Sequence, residues 1–308
     1  GMRYEELFST FPELLREILE EWKLNRELLQ EIRIRAGRPV LAVCRNREYQ
    51  SVKTINRTEM KEILACLSNY SLYACEDELC QGFLSLPGGH RVGVAGRTVM
   101  EGGRIRTMTD VSSLNIRVAR EVKGCADYVL PCLWERDRLL HTLIVSAPGC
   151  GKTTLLRDCI RQISDGAAGH AGMTVGVVDE RSEIAGSYRG VPENDLGMRT
   201  DVLDGCPKAE GMMLLIRSMA PKVVAVDEVG SSEDLHALAS AMNCGCVLLA
   251  TVHAARMEEL KTKPVLREMV KTGMFERYVF LEPCRVPGKI RQILDRDERP
   301  VSGKETGC

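Results

Sequence analysis

The stretch Ser146-Ala147-Pro148-Gly149-Cys150-Gly151-Lys152-Thr153-Thr154 constrains this chain more than any other part of it. The apolar run Leu143-Ile144-Val145 leads into it. Beyond it, Leu155, Leu156, Cys159, Ile160 and Ile163 recur on one helical face. Strand, small-residue loop, Gly-Lys-Thr and helix is the context in which backbone N–H groups form an anion nest at the positive end of a helix. Gly149 and Gly151 allow the main chain to approach phosphate oxygens closely. Pro148, Cys150 and Thr154 complete the loop. Lys152 is placed to reach the β- and γ-phosphates of ATP, and the Thr153 hydroxyl to ligate Mg²⁺. The full pattern G-x-x-x-x-G-K-[ST] wants glycine at its first position, where this chain has Ser146. Pro148 adds rigidity that compensates.

Around this loop the chain alternates strand and helix, which predicts an α/β domain with a parallel sheet. Strands are expected at 142–146, 174–179, 222–227 and 246–251, with helices at 152–164, 207–220 and 231–243. Val177-Val178 and Val223-Val224-Ala225-Val226 are the apolar runs of buried parallel strands. Met212, Met213, Leu215, Ile216 and Met219 read as the core stripe of the helix that Pro221 stops. Val286-Pro287-Gly288-Lys289-Ile290 reads as a hairpin turn.

The region before the loop reads differently. A helix is expected over 2–30, with Pro12 near a helix start. Strands follow at 31–35 and 40–44, helices at 58–67 and 72–83, and further strands near 90–94, 97–100, 104–108 and 114–118. Glu101-Gly102-Gly103 is a hairpin turn signal. This is a smaller mixed α+β domain over 2–124. A structured connection is expected over 125–137, the nucleotide-binding domain over 138–294, and a charged, disordered tail over 295–308. His90 stands alone and is not taken as a ligand.

Composition narrows the class. A formal charge of −1 offers no global basic excess, so no nucleic-acid partner is expected. The polar, acidic start predicts no secretory signal. No apolar run reaches the ~18 residues of a membrane span. The chain carries 13 cysteines without a Cys-x-x-Cys pair, so they read as small buried hydrophobes of a reducing cytosol, not as a metal site.

Two buried strands end in acid pairs, Asp179-Glu180 and Asp227-Glu228. Ligands of a parallel sheet bind beyond the carboxyl ends of its strands, so both pairs are expected on the side of the phosphate loop. A carboxylate of the second pair suits Mg²⁺, and a nearby Glu suits orientation of water. Capping of the following helices is the alternative use of these acids. His253, after the run Val247-Leu248-Leu249-Ala250-Thr251, arrives at the same edge as a candidate γ-phosphate sensor. Arg181, Arg189, Arg199 and Arg217 are expected mainly in salt bridges.

These residues match a family. The chain resembles the stage III sporulation AA family, relatives of the type II/IV secretion-system ATPases. The match rests on the stretch from Glu31 to Pro39, on Gly88-Gly89-His90-Arg91-Val92-Gly93, on Ser113-Leu114-Asn115-Ile116-Arg117 and on Gly151 to Asp158. Its longest pieces are Val178-Asp179-Glu180-Arg181-Ser182-Glu183-Ile184 and Asp201-Val202-Leu203-Asp204-Gly205-Cys206-Pro207-Lys208. The resemblance implies a RecA-like P-loop motor domain behind a smaller N-terminal domain, in hexameric rings. It matches an acidic box to Asp179 and Glu180, with Glu180 polarising water. It matches the Walker B acids to Asp227 and Glu228, a histidine box to Thr251-Val252-His253, and an arginine approaching the phosphates to Arg117. It implies a cytoplasmic motor docked on membrane proteins of a channel between mother cell and forespore, with no direct membrane insertion and no zinc module. The expectation is a Mg²⁺-dependent ATPase, with Lys152 on phosphate and Thr153, Asp227 and Glu228 at the metal. The alternatives are a nucleic-acid-dependent RecA-like motor and a non-catalytic ATP-binding scaffold.

Overall fold

The computed structural model describes residues 2–283 and 286–301. It divides into two compact units, one running up to Arg120 together with Gly186–Glu193, the other comprising Glu121–Ala185 and the chain from Asn194 onward.

The first unit begins with α1 (Met2–Ser9) and α2 (Glu13–Glu21). The single helix expected over 2–30 is broken at Pro12, which has no N–H and stands in extended conformation (ψ 157°) as the cap of α2. Strands β1 (Leu29–Arg35), β2 (Pro39–Cys44) and β3 (Arg47–Thr54) form a meander. Helix α3 (Arg57–Leu67) starts in a reciprocal cap between Asn56 and Glu59. The helix expected over 72–83 is a 3₁₀ turn at Leu72–Cys75 and the single turn α4 (Glu76–Leu79). Gly82, at φ +83°, then turns the chain into β4 (Phe83–Leu86). Strands β5 (His90–Glu101) and β6 (Arg104–Arg117) are a long hairpin, turning at Gly102 and Gly103 in left-handed conformation as the sequence predicts.

These six strands form one antiparallel sheet in the order β3-β2-β1-β6-β5-β4. One face, with Ile32, Ile34, Val40, Val92 and Ile116, is buried with Leu7, Leu15, Ile18, Met60 and Ile63 of the helices. His90 is a core histidine: its Nδ1 accepts the Ala119 N–H (2.9 Å) and its Nε2 reaches the Arg3 carbonyl (3.1 Å). Burial holds its pKa down at about 4.

The second unit carries two short ribbons, β7 (Trp134–Glu135) with β8 (Arg138–Leu139) and β10 (Gly166–Ala167) with β11 (His170–Ala171). Its main elements are β9 (Thr142–Ser146), α5 (Lys152–Asp165), β12 (Val175–Asp179), β13 (Thr200–Asp204), α6 (Lys208–Met219), β14 (Val223–Val226), α7 (Ser232–Asn243), β15 (Val247–His253), α8 (Met257–Thr262), α9 (Pro264–Lys271), β16 (Arg277–Leu281) and β17 (Ile290–Asp295). The sheet runs β13-β12-β14-β15-β9-β16-β17, parallel except for β17. Both faces are covered, and every residue of β9, β12 and β14 is buried. Val224, Val226 and Leu248 share one core with Met212, Leu215 and Leu238. Val177, Ala225 and Leu249 share another with Leu155, Leu156, Cys159, Ile160 and Ile163, the stripe read from sequence. Of the Met212 stripe, Met219 is half exposed.

Three expected boundaries change. Residues 125–137 are no mere connection, because Ala126, Val129, Leu130 and Leu133 are core residues of the second unit. Gly186–Glu193, within the span expected as one nucleotide-binding domain, belongs to the first unit. Residues 295–301 are no disordered tail: Leu294 bridges Pro300, and the Val301 N–H binds the Ile293 carbonyl at 2.9 Å. The rest of that expected tail, 302–308, lies outside the described residues.

Candidate functional site

The loop leaving β9 turns through Gly149 (φ +80°) and Gly151 (φ +86°), and α5 begins at Lys152. A Cβ on Gly151 would lie 2.3 Å from the Gly288 nitrogen, in the β16–β17 turn, so glycine is required there twice over. The Gly288 N–H donates to the Cys150 carbonyl at 3.0 Å. Ser146 explains itself: it ends β9 in register with His253, its side chain bonded to the Ala147 carbonyl (2.6 Å). It is not among the residues with positive φ, so the loop does not need glycine there.

The neighbouring strands bring polar groups to this loop. The Thr153 hydroxyl donates to Asp227 Oδ2 at 2.8 Å. Thr251, on β15, donates through its hydroxyl to the other Asp227 oxygen, and its Oγ1 accepts the Glu228 N–H at 2.8 Å. Glu228 adopts φ +54°, an uncommon conformation for a residue with a side chain. Its carboxylate meets Lys152 Nζ (3.0 Å), Arg181 (2.7 Å) and His253 Nε2 (3.0 Å). Burial pushes the Glu228 pKa up, but Lys152, Arg181 and His253 outweigh it and hold the group below the usual carboxylate range. His253 Nδ1 is buried with no hydrogen-bond partner among the described residues.

The first acid pair behaves differently. Asp179 is buried, and its carboxylate accepts the N–H groups of Glu183 (3.1 Å), Ile184 (3.1 Å) and Ala185 (2.8 Å). No helix starts here, so this is not the helix cap weighed as the alternative: the carboxylate closes a loop. Burial outweighs these bonds and pushes its pKa up to about 6. Glu180 pairs with Lys208 at 2.8 Å. Glu183, to which the sequence alone assigns no role, has a carboxylate oxygen that lies with those of Asp227 and Glu228 within 4.8 Å of one another.

Lys152, Thr153, Asp227, Glu228 and His253 are thus brought together. Of the four arginines weighed, Arg181 is at Glu228. Arg189 lies over the Tyr188 ring, Arg199 donates to the Ser164 carbonyl and Arg217 to that of Met213. Arg117 ends β6 in the first unit, opposite Glu31 and Arg91 on an exposed sheet face. Thr251 and Arg157 lie in the matched stretches without a role assigned to either, and the contacts of Arg157 with the Glu183 and Ile184 carbonyls (both 2.7 Å) form only in the fold. Arg157 is findable only by its spacing, one helical turn beyond Thr153.

No helix among the described residues is long and apolar enough to cross a membrane. The fold is shared with two solved proteins. The chain is similar to the Legionella pneumophila ATPase DotB (TM-score 0.61, 16% identity, 94% of this chain and 82% of that one). It is also similar to the pilus retraction motor PilT solved with bound ADP (TM-score 0.58, 13% identity, 92% and 80%). Residues 2–301 match the family described as Sporulation stage III, protein AA, and the chain belongs to it. It is 41% identical over 298 residues to stage III sporulation protein AA of Bacillus subtilis (strain 168), covering 96% of this chain and 97% of that protein. It is 24% identical over 302 residues to the uncharacterized protein ycf45 of Porphyra purpurea, covering 96% of this chain and 48% of that one.

Proposed function

We propose that the chain is a Mg²⁺-dependent ATPase with a RecA-like P-loop domain. In this reading it works in the cytoplasm as a homo-oligomeric, hexameric ring docked on membrane proteins, and energises a channel between mother cell and forespore. The observation that carries the catalytic part is the junction of loop and strand end. Lys152 and Thr153 leave the glycine turn and meet Glu228 and Asp227 at 3.0 and 2.8 Å. A glycine turn alone binds anions; one joined to two carboxylates has the parts for hydrolysis. The motor and membrane parts rest on kinship with a sporulation family and on a fold shared with a protein described as a pilus retraction motor.

Mg²⁺ fits the residues present. The donors are hard oxygens, and Thr153 Oγ1 already stands 2.8 Å from Asp227. Thr153 and Asp227 would hold the ion, with Glu228 beside them, and the bound ion neutralises charge on phosphate oxygens. Lys152 binds phosphate together with the backbone N–H groups from Gly149 to Thr154. His253, now hydrogen-bonded to Glu228, senses the γ-phosphate through Nε2. Arg117 approaches the phosphates within the ring.

The test is nucleotide binding and steady-state hydrolysis by wild type and Lys152→Ala, with and without DNA or RNA. The expected result is turnover by wild type and loss of binding and turnover in Lys152→Ala. Binding without turnover, even with membrane partners present, would leave an assembly scaffold. Strong, salt-sensitive stimulation by nucleic acid would leave a nucleic-acid motor.

A further inference from the structure

Strand β15 runs past the end of its neighbour β14. The last level at which the two pair is Val226 with Ala250, whereas β15 continues beside β9 through Thr251, Val252 and His253. The edge that β14 leaves is taken up by the corner that follows it. The Val229 N–H donates to the Thr251 carbonyl at 2.9 Å, and the Glu228 N–H donates to Thr251 Oγ1 at 2.8 Å. One residue thus captures two successive amides, and Glu228 is held at φ +54° by them. A left-handed residue with a side chain persists only where its surroundings over-determine it, and these two bonds do so. From this corner the Glu228 carboxylate reaches Lys152 Nζ at 3.0 Å.

The Thr251 hydroxyl has a second use. A hydroxyl carries one proton to donate and two lone pairs. Having accepted the Glu228 N–H, it gives its proton to Asp227 Oδ1, while Thr153 holds the opposite oxygen of the same carboxylate. Thr251 is fully buried, so bulk water does not replace either bond when it is lost. His253, two residues further and so on the same side of the strand, reaches Glu228 through Nε2 at 3.0 Å. Strand β15 therefore brings one side chain to each acid of the pair.

We propose that Thr251 is a positioning residue of the hydrolysis, its single hydroxyl fixing both acids of the second pair. It holds Asp227 by a bond to the carboxylate and Glu228 by a bond to the backbone. This rests on the ATPase reading. Thr153 and Asp227 are the residues that would hold Mg²⁺, and a Thr153 hydroxyl turned to the ion is no longer given to Asp227. Thr251 takes no part there and keeps its own oxygen of that carboxylate in place. Groups that hold a metal-binding side chain from behind typically carry about 10–100-fold in metal affinity or activity.

The experiment compares wild type, Thr251→Val and Thr251→Ser in the full chain. It reads amide exchange at residues 228 and 229 without nucleotide or metal, affinity for a fluorescent ATP analogue in EDTA, the Mg²⁺ concentration for half-maximal turnover, and kcat. Valine keeps the shape of threonine and removes the hydroxyl, whereas serine keeps the hydroxyl. Thr251→Val is expected to speed exchange at Glu228 by about tenfold, the value of one lost hydrogen bond. It should raise the Mg²⁺ requirement by about tenfold or more and lower kcat by on the order of 10²-fold. Analogue affinity in EDTA should hold, because Lys152 and the glycine turn are untouched. Thr251→Ser should stay within about threefold of wild type in every reading, since both bonds remain. Wild-type kcat and Mg²⁺ dependence in Thr251→Val overturn the assignment. So does a Thr251→Ser protein as impaired as Thr251→Val, because the methyl group and not the hydroxyl would then matter. Loss of analogue affinity in EDTA by Thr251→Val points to a collapsed site and also overturns it. If Thr251→Val does not fold, Thr251→Ala stands beside Thr251→Ser under the same expectations. A wild type that binds the analogue without hydrolysing ATP overturns the ATPase reading itself, a result distinct from the others because amide exchange needs no turnover.

Discussion

The ends of β12 and β14 look alike and are put to opposite uses. Val178 stands level with Val226 in the parallel ladder, so Asp179 and Asp227 leave their strands at the same height. Asp179 is the more deeply buried, and its carboxylate is used up on three backbone N–H groups. Asp227 faces two hydroxyls, one from the phosphate-loop helix and one from β15. The path of the chain beyond each acid makes the difference. After Asp179 the chain turns through Ser182 at φ +54° and curls its own amides back over the carboxylate. After Asp227 the chain is pinned outward by the Glu228 N–H on Thr251. One acid shapes a loop, while the other ties α5 to β15.

The sharpest way to break this comparison is to neutralise the second acid. Asp227→Asn is expected to keep the fold, because an amide still hydrogen-bonds Thr153 or Thr251, and to lower ATP hydrolysis by about 10²–10³-fold. Steady-state kinetics beside a thermal melt checks it. A melt as badly affected as the kinetics would make Asp227 a structural acid like its neighbour.

Asp179→Ala should do the reverse in first order. It orphans three amides at residues 183–185, and each buried unsatisfied group costs about 1–3 kcal/mol. The second unit should lose about 3 kcal/mol or more, with faster amide exchange first at 183–185. Hydrogen exchange by mass spectrometry reads this directly. Unchanged protection there would mean that Arg157 holds the loop without Asp179.

Much of the site was legible from sequence because its geometry is local. Left-handed turns at 149 and 151 demand glycine, and Lys-Thr follows at a fixed offset. The Gly102-Gly103 hairpin and the buried runs of β12, β14 and β15 were legible for the same reason, turn chemistry and apolar patterning. The difference between the two acid pairs was not, since Asp-Glu after a valine run reads the same in both. Asp179 turns inward because of amides four to six residues ahead, which no periodicity reports. Arg157 and Glu183 meet only across the fold. Strand β13 escaped because Thr200-Asp201-Val202-Leu203-Asp204 is an edge strand with no fully buried residue. The excursion Gly186–Glu193 escaped because membership of a unit is a matter of packing, not of order along the chain.

The last and smallest expected effect lies in the pH dependence of stability, where the two strand ends have opposite signs. Asp179 titrates at about 6 in the folded chain, against about 3.9 for an unperturbed Asp. Between those values the folded state holds a proton that the unfolded state has released. Stability therefore falls as pH rises from about 4 to about 6, and is level above that. Two units correspond to at most about 3 kcal/mol. Glu228 is depressed, so its contribution is present above the ordinary glutamate value and is lost as pH falls through its lowered one. Denaturation followed from about pH 2 to 7 in wild type, Asp179→Asn and Glu228→Gln separates them. Asp179→Asn should flatten the decline between pH 4 and 6, because an amide does not titrate. Glu228→Gln should leave that decline in place and weaken the loss at lower pH. If Asp179→Asn kept the full decline, the proton would belong to another acid, and the inward-facing role of Asp179 would lose its electrostatic support.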